Sequence, residues 1–277
     1  QVDDDFLADH GLTKGAMALI DDDRAHALYA DMGPAIEVSG GSAANTAAGL
    51  ASLGARVSFI GKVASDQLGE VFAHDLRAAG VDYEPPSSGG ELATARSFVL
   101  VTPDAQRTLN TYLGISAHLS PDDVDLDRVR AAAVLYCEGY LWDQPVAKEA
   151  IGLAMRTAAD AGRSVAFTLS DSFCVDRHRR EFLELLDGHV DILFANEAEI
   201  CSLFETSSLD GAVEAVRGRA ATVCVTRSEA GSMVLTDGAP DAVVPAAPVA
   251  EVVDTTGAGD LYAAGFLFGR AQGADPA

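Results

Sequence analysis

The sequence predicts an α/β fold: a three-layer, doubly wound, mostly parallel sheet with a small antiparallel β lid. Three observations predict it. Short apolar runs alternate with helical apolar patterns over most of the chain, which is how a parallel sheet and its covering helices read. One pair of alternating segments, Ala93 to Val101 and Arg107 to Leu113, has no helix between its members, so a crossover cannot put both in a parallel sheet. Finally, 48% of the 277 residues are hydrophobic, enough for one large core or two ordinary ones.

The elements follow in order. Met17 to Ile20 and Ala35 to Val38 read as short strands, and Asn45 to Leu53 as a helix. Val57 to Ile60 is a short apolar run. Leu68 to Ala79 is helical, because Leu68, Val71, Phe72 and Leu76 recur three and four apart. Pro85 to Gly90 is a linker rich in Pro, Ser and Gly. The hairpin then turns on Thr102-Pro103-Asp104-Ala105. Val134 to Cys137 is a buried strand and Pro145 to Ala161 an alanine-rich helix. Val165 to Leu169, Ile192 to Ala195 and Thr222 to Thr226 are strands. Arg177 to Leu186 and Glu197 to Phe204 are the helices between them. A last strand, Val249 to Val253, leads through a small-residue turn into a helix from Leu261 to Phe268.

Charge narrows the function. There are 42 acidic against 19 basic residues, a formal charge of −23, which disfavours nucleic acid and anionic membranes as partners. A phosphate ligand stays open, since backbone N–H groups bind one without net positive charge. Cys137, Cys174, Cys201 and Cys224 form no C-x-x-C pair, and the six histidines show no metal-ligand spacing. A reduced, cytoplasmic protein without a zinc site is expected. No apolar run reaches the roughly 18 residues needed to span a bilayer. The chain opens on Gln1-Val2 and ends at Ala277. Flanking segments are expected at both ends.

The turn Asp254-Thr255-Thr256-Gly257-Ala258-Gly259-Asp260 carries the chemistry. Gly257, Ala258 and Gly259 leave backbone N–H groups uncovered at the positive end of a helix, an anion site. A carboxylate beside such a site is ill suited to plain binding. It suits a base, Asp260, that takes the proton of a hydroxyl attacking a phosphate. The ordinary alternative is an acidic helix cap. A dinucleotide fingerprint fails, because Tyr262 stands where close packing needs Gly or Ala. A Walker loop fails on the spacing of Gly54 and Gly61-Lys62, and on Val63.

A second motif lies near the other end: Ser39-Gly40-Gly41-Ser42-Ala43-Ala44-Asn45-Thr46-Ala47, then Leu53-Gly54, then Ile60-Gly61-Lys62-Val63-Ala64-Ser65-Asp66-Gln67-Leu68-Gly69. With the Asp254 to Asp260 turn, it resembles the two signatures of the ribokinase family of sugar and nucleoside kinases, the phosphofructokinase-B type. Gly40-Gly41-Ser42 with Asn45, the stretch Arg107 to Gly114, and Glu138-Gly139-Tyr140-Leu141 are most similar to its bacterial adenosine-kinase-like branch.

The resemblance implies one catalytic domain over residues 1–277, with lid segments at about 13–39 and 92–115. It implies Asp260 as base, a Gly257-Ala258-Gly259 cradle, and Arg107 reaching the transferred phosphate from the lid. Gly40, Gly41, Ser42, Asn45 and Glu138 would meet the substrate. Asn196, Thr226, Ser228 and Gly231 would meet the nucleotide, and Glu199 a magnesium ion through water. Asp254 and Thr256 match positions that bind a monovalent cation, potassium, in related kinases. Ordinary readings stand beside these: Asn196 and Glu199 form a capping-box pattern, Thr226 to Met233 a hairpin turn, and Arg107 a solvated hairpin residue.

The activity implied is transfer of the γ-phosphate of ATP, with Mg2+, to the 5′-hydroxyl of adenosine. Phe98, Leu109, Tyr112 and Tyr140 could form an apolar slot for the base. A free-sugar kinase acting on ribose or fructose, and a non-catalytic nucleotide- or sugar-binding regulator, are the alternatives. A small-molecule substrate and a homodimer through the lid are the expected partners.

Overall fold

The structure is a computed structural model that describes residues 1–86, 90–104, 106–250, 252 and 255–274. The strands are β1 (Met17–Leu19), β2 (Arg96–Val101), β3 (Arg107–Tyr112), β4 (Val134–Glu138), β5 (Ser164–Thr168), β6 (Ile192–Asn196), β7 (Thr222–Thr226), β8 (Ser232–Thr236) and β9 (Ala242–Val244). The α-helices are α1 (Asp4–Asp9), α2 (Asp22–Asp31), α3 (Ser42–Ser52), α4 (Gln67–Ala78), α5 (Leu126–Ala131), α6 (Pro145–Asp160), α7 (Ser172–Gly188), α8 (Glu197–Leu203), α9 (Leu209–Val216) and α10 (Ala258–Ala271). They fall into two compact units: residues 1–39, 61–74 and 85–119, and residues 40–60, 75–84 and 120–277.

The larger unit is built on a six-stranded sheet in the order β4-β5-β6-β7-β8-β9. The pairs from β4 to β7 are parallel, and β8 and β9 add antiparallel. Both faces are covered, as a largely parallel sheet requires. On one face Ala166, Ile192, Phe194, Cys224 and Val234 pack with Ala263 and Leu267 of α10. On the other, Phe167 meets Trp142 and Phe182 of α7 edge-on, with ring centroids 6.3 and 5.1 Å away. This is the three-layer arrangement the alternation of runs predicts. Helix α10 also lies along α3, close enough that a Cβ on Gly49 would stand 2.8 Å from Leu261 Cδ2.

The smaller unit is a three-stranded sheet in the order β1-β3-β2. The β2–β3 hairpin is antiparallel, as expected, but β1 joins β3 in parallel, so the sheet is mixed. Its turn is tied by Thr102 Oγ1 donating to Asp104 at 2.6 Å. Phe98 and Tyr112 form a core with Ala25 and Leu28 of α2.

One expected strand is absent, and the described part of another is not a strand. Residues 35–38 are irregular, with Ile36 and Val38 91% and 83% exposed. Of the expected strand Val249 to Val253, residues 249, 250 and 252 are not in a strand, and the rest lie outside the described residues. The run 35–38 is apolar in sequence but buries no face, and a strand gains its stability from neighbours and burial. Val57 to Ile60 contributes one bridge, Ser58 to Asp82. Among the described residues no helix is long and apolar enough to cross a membrane.

Candidate active site

The four parallel strands end side by side, and the ends carry polar residues. Glu138 is in register with Thr168, and Asn196 with Thr226. The C-terminal edge of such a sheet is where α/β proteins bind ligands. Helices α3 and α10 present their N-termini to the Glu138 end of it. Gly257 caps α10 in the left-handed region, φ 75°, where a side chain would be strained. The next turn places Asp260.

Asp260 is held on both oxygens. Ser42 Oγ donates to Oδ1 at 3.0 Å and Asn45 Nδ2 to Oδ2 at 2.9 Å, while Thr46 Oγ1 reaches its carbonyl at 3.3 Å. Glu138 lies on the other side of the same helix start, accepting the Ala43 N–H at 2.8 Å. Thus Ser42, Asn45, Glu138 and Asp260 come together in one cluster, although the sequence separates Ser42 from Asp260 by 218 positions.

Burial pushes the Glu138 carboxyl up to about 6; the Ala43 N–H opposes this, and the neighbouring Asp260 charge adds to it. Burial likewise pushes the hydroxyls of Tyr136 and Tyr140 upward, and Tyr140 donates to the Ser170 carbonyl at 3.0 Å. Crowded, desolvated acids in one cluster are the pattern of a candidate functional site.

Three glycines separate packing from openness. At Gly231, φ 84°, a Cβ would stand 2.0 Å from Val244 O, so the fold itself demands glycine. At Gly40 and Gly259 a Cβ would meet nothing within 4 Å, and neither has positive φ. Among the described residues nothing requires glycine there, which fits a ligand that must approach the backbone. The cradle is less free at Ala258, whose N–H donates to Thr255 O at 3.2 Å.

The second part of the edge is the start of α8. Asn196 and Glu199 do form a capping box: Asn196 Oδ1 accepts the Glu199 N–H at 2.9 Å, and Glu199 Oε2 accepts the Asn196 N–H at 2.9 Å. Glu199 is buried, and burial pushes it up to about 7, with the Asp171 charge adding to the effect. Among the described residues no group of three or more His, Cys, Asp or Glu could hold a metal directly. A hydrated magnesium ion fits the site better, since a buried carboxylate with a like-charged neighbour gains from a cation held through water. Thr226 ends β7, and Ser228 opens the turn to β8 with φ 50°. Thr226 to Met233 is thus a real hairpin, with Gly231 shaped by it.

Three of the four residues expected to form an apolar slot, Phe98, Leu109 and Tyr112, lie in the small sheet. Phe98 and Tyr112 lie on the face of the small sheet packed against α2. Leu109 sits at the intervening position of the period-two pattern and so points to the opposite face. Arg107 opens β3, opposite Val101. Asp254 lies outside the described residues, and Thr256 precedes the α10 cap. Sequence reasoning passed over Ser170 and Asp171. Ser170, φ 76°, takes the Gly139 N–H on its hydroxyl at 2.8 Å, and Asp171 caps α7 through the Cys174 N–H at 2.6 Å. The Ser170-Asp171 pair directly after a strand was the available signal.

The pfkB family carbohydrate kinase pattern matches residues 36–277. The chain belongs to the PfkB family of carbohydrate kinases. Its fold is similar to that of adenosine kinase from Sinorhizobium meliloti, with TM-score 0.94 and 54% identity, covering 99% of this chain and 84% of that one. It is equally similar in fold to a probable sugar kinase protein from Rhizobium etli CFN 42, at TM-score 0.94 and 50% identity, over 99% and 83% of the two chains. An ATP-dependent ribose-1-phosphate kinase of Halopiger xanaduensis is 32% identical over 238 residues, 82% of this chain and 72% of the relative.

Proposed function

We propose that this PfkB-family phosphotransferase moves the γ-phosphate of ATP to the 5′-hydroxyl of adenosine. The observation that carries the reading is the clamped carboxylate of Asp260 in the first turn of α10, at the edge where Gly40 and Gly259 leave the backbone open. Asp260 accepts the proton of the attacking hydroxyl, and Ser42 and Asn45 fix the direction from which it does so. Gly257, Ala258 and Gly259 offer N–H groups to the phosphate. Gly40, Gly41, Asn45 and Glu138 hold the ribose hydroxyls. Asn196, Thr226, Ser228 and Gly231 line the nucleotide's part of the site. Glu199 holds magnesium through water, and the ion when bound offsets phosphate charge. Arg107 adds charge late in the reaction, which the kcat of Arg107→Ala would test.

The likeness to an adenosine kinase at 54% identity favours a nucleoside, and the likeness to a probable sugar kinase at 50% keeps a free sugar as the second reading. An intact Asp260 speaks against a silent binder, which gains nothing from a carboxylate beside a phosphate. The experiment is a comparison of kcat/KM for adenosine, ribose and fructose with ATP and Mg2+. Adenosine should lead; a lead for either sugar transfers the reading to the sugar kinases. Potassium held by Asp254 and Thr256 belongs to the same proposal and predicts a rate that rises with K+ at constant ionic strength. A cytoplasmic site of action fits the four free cysteines. A homodimer through the small sheet is supported by the exposed Leu19 and Val99 on its open face, and sedimentation would test it.

A further inference from the structure

Among the described residues three that are not glycine have positive φ: Ser170 at 76°, Glu205 at 51° and Ser228 at 50°. The last two fall in the ordinary left-handed region, and Ser170 lies beyond it. Across Ser170 the Asp171 N–H donates to the Leu169 carbonyl at 3.0 Å. A bond from residue i+2 back to residue i around such a centre makes the rare, strained γ-turn. Strain of this kind persists only where its surroundings hold it, and it gathers at functional sites. This turn joins β5 to α7, and β5 is the strand beside the one that ends in Glu138.

The γ-turn aims two groups of Ser170 at the segment that follows Glu138. Its hydroxyl oxygen accepts the Gly139 N–H at 2.8 Å, and its carbonyl accepts the Tyr140 hydroxyl at 3.0 Å. Just past the turn Asp171 caps α7, and from the start of that helix Cys174 Sγ donates to the Gly139 carbonyl at 3.2 Å. Gly139 has no spare room, since a Cβ there would stand 2.9 Å from Phe182 Cζ and 3.2 Å from Leu169 O. Gly139 is thus gripped at its N–H, its carbonyl and its Cα. The residue before it is Glu138, whose carboxylate accepts the Ala43 N–H at 2.8 Å.

Resting on the reading of Glu138 as a residue that holds the acceptor's hydroxyls, we propose that Ser170 is a positioning residue. Its hydroxyl, aimed by the γ-turn, fixes the Gly139 peptide and through it the direction of the Glu138 carboxylate. This accounts for a serine at φ 76°. Glycine would adopt the turn freely but brings no acceptor for the Gly139 N–H. Strand pairing does not need the serine, because the Thr168 carbonyl accepts the same N–H at 3.2 Å. The shorter bond to Ser170 adds direction rather than pairing.

The test compares the wild type with Ser170→Ala, Ser170→Gly, Glu138→Ala and the double variant Ser170→Ala/Glu138→Ala. Each is measured in urea unfolding and in steady-state kinetics with ATP, Mg2+ and whichever of adenosine, ribose and fructose the wild type turns over best. Ser170→Gly relieves the strain and Ser170→Ala keeps it, so the glycine variant should be the more stable of the two. Both lose the hydroxyl. Both should therefore lose kcat/KM for the acceptor alike, by roughly 10–100-fold, the scale of a misplacement near 1 Å, with the KM for ATP unchanged. In the Glu138→Ala background the further loss of the Ser170 hydroxyl should cost no more than about twofold, because the group it directs is gone. Without substrates, the amide resonance of Ala43, the donor to Glu138, should shift in both single Ser170 variants. A glycine variant with wild-type kcat/KM, or one less stable than the alanine variant, overturns the proposal. So does a Ser170→Ala loss that persists in full without Glu138, or an Ala43 resonance that stays in place. If the wild type phosphorylates none of the three alcohols, the phosphotransfer reading fails by itself, and the Ala43 resonance still decides whether Ser170 sets Glu138.

Discussion

The acids of the smaller unit and those at the strand-end edge of the larger one are used in opposite ways. In the smaller unit Asp66 accepts the Thr94 hydroxyl at 2.6 Å and the N–H groups of Thr94 and Gly69, both at 2.8 Å. Burial would raise its carboxyl, but these three donors hold it below its ordinary value. Asp104 is pulled to about 2 by Lys14 and then Thr102. Such acids are satisfied, and their charge supports the fold. In the larger unit Glu138, at the end of β4, and Glu199, in the first turn of α8, are pushed up by burial to about 6 and about 7. Asp66 and Asp104 are lowered by donors and a cation within the fold, whereas Glu138 and Glu199 are raised where the candidate site lies. The Asp66 motif and the Gly40-to-Asn45 motif stand close in sequence, yet by this measure the first is structural.

The sharpest way to break the comparison is Asp260→Asn. The amide keeps the shape and both clamping neighbours but cannot take a proton. Turnover should fall by roughly 10²–10⁴ while ATP affinity, measured by calorimetry, stays put. Near-normal turnover would remove Asp260 from the base role.

Asp66→Ala should show the reverse pattern. It strips three hydrogen bonds to a charged acceptor from partly buried partners. Each such bond contributes about 1.5–3 kcal/mol, so a loss of several kcal/mol in urea unfolding is expected. An unchanged midpoint would mean that the small unit does not depend on this acid.

What the sequence made legible follows from range. Strands β4 to β7 and the hairpin were readable because each is a short apolar or alternating run bounded by its own turn chemistry. The run 35–38 looked the same, but whether a run becomes a strand depends on a neighbour it cannot name. The parallel pairing of β1 with β3 was invisible for that reason. In the site, Asp260 and Asn45 were each picked out locally through their motifs. That they bond each other, 215 positions apart, is a property of how α3 packs on α10. Asn196 and Glu199 show the remaining limit: a capping box and a magnesium site call for the same residues at the same spacing.

Glu199→Gln sharpens the contrast through pH. A carboxyl raised in the folded state stabilises the protein most where it is protonated in both states. That contribution is complete below the ordinary value of 4.5 and is lost as pH rises through about 7. Glutamine keeps the capping box, since it too can accept the Asn196 N–H. The variant should therefore lack the decline in Tm that the ligand-free wild type shows between those pH values, and at pH 8 it should be at least as stable. Added Mg2+ with ATP should raise the Tm of the wild type there by more than that of the variant. A wild-type Tm that is flat or rises over the same interval would show that Glu199 is not the strained acid described here.

Gly40→Ala tests the comparison at its smallest scale, one methyl group. At Gly69 the fold demands glycine, since a Cβ would lie 2.1 Å from Ala64 O; at Gly40 it would meet nothing within 4 Å. Stability should therefore change by no more than about 0.5 kcal/mol, as for an ordinary surface substitution. If the space over Gly40 is where the acceptor's ring lies, the added methyl group excludes it. The acceptor's KM should then rise about tenfold, with the KM for ATP unchanged, the scale that one methylene contributes in a binding pocket. A rise in the ATP KM instead would move the nucleotide to this end of the sheet edge. An unchanged KM for both substrates, with stability intact, would leave Gly40 without a role in binding and confine the acceptor to Asn45, Glu138 and Asp260.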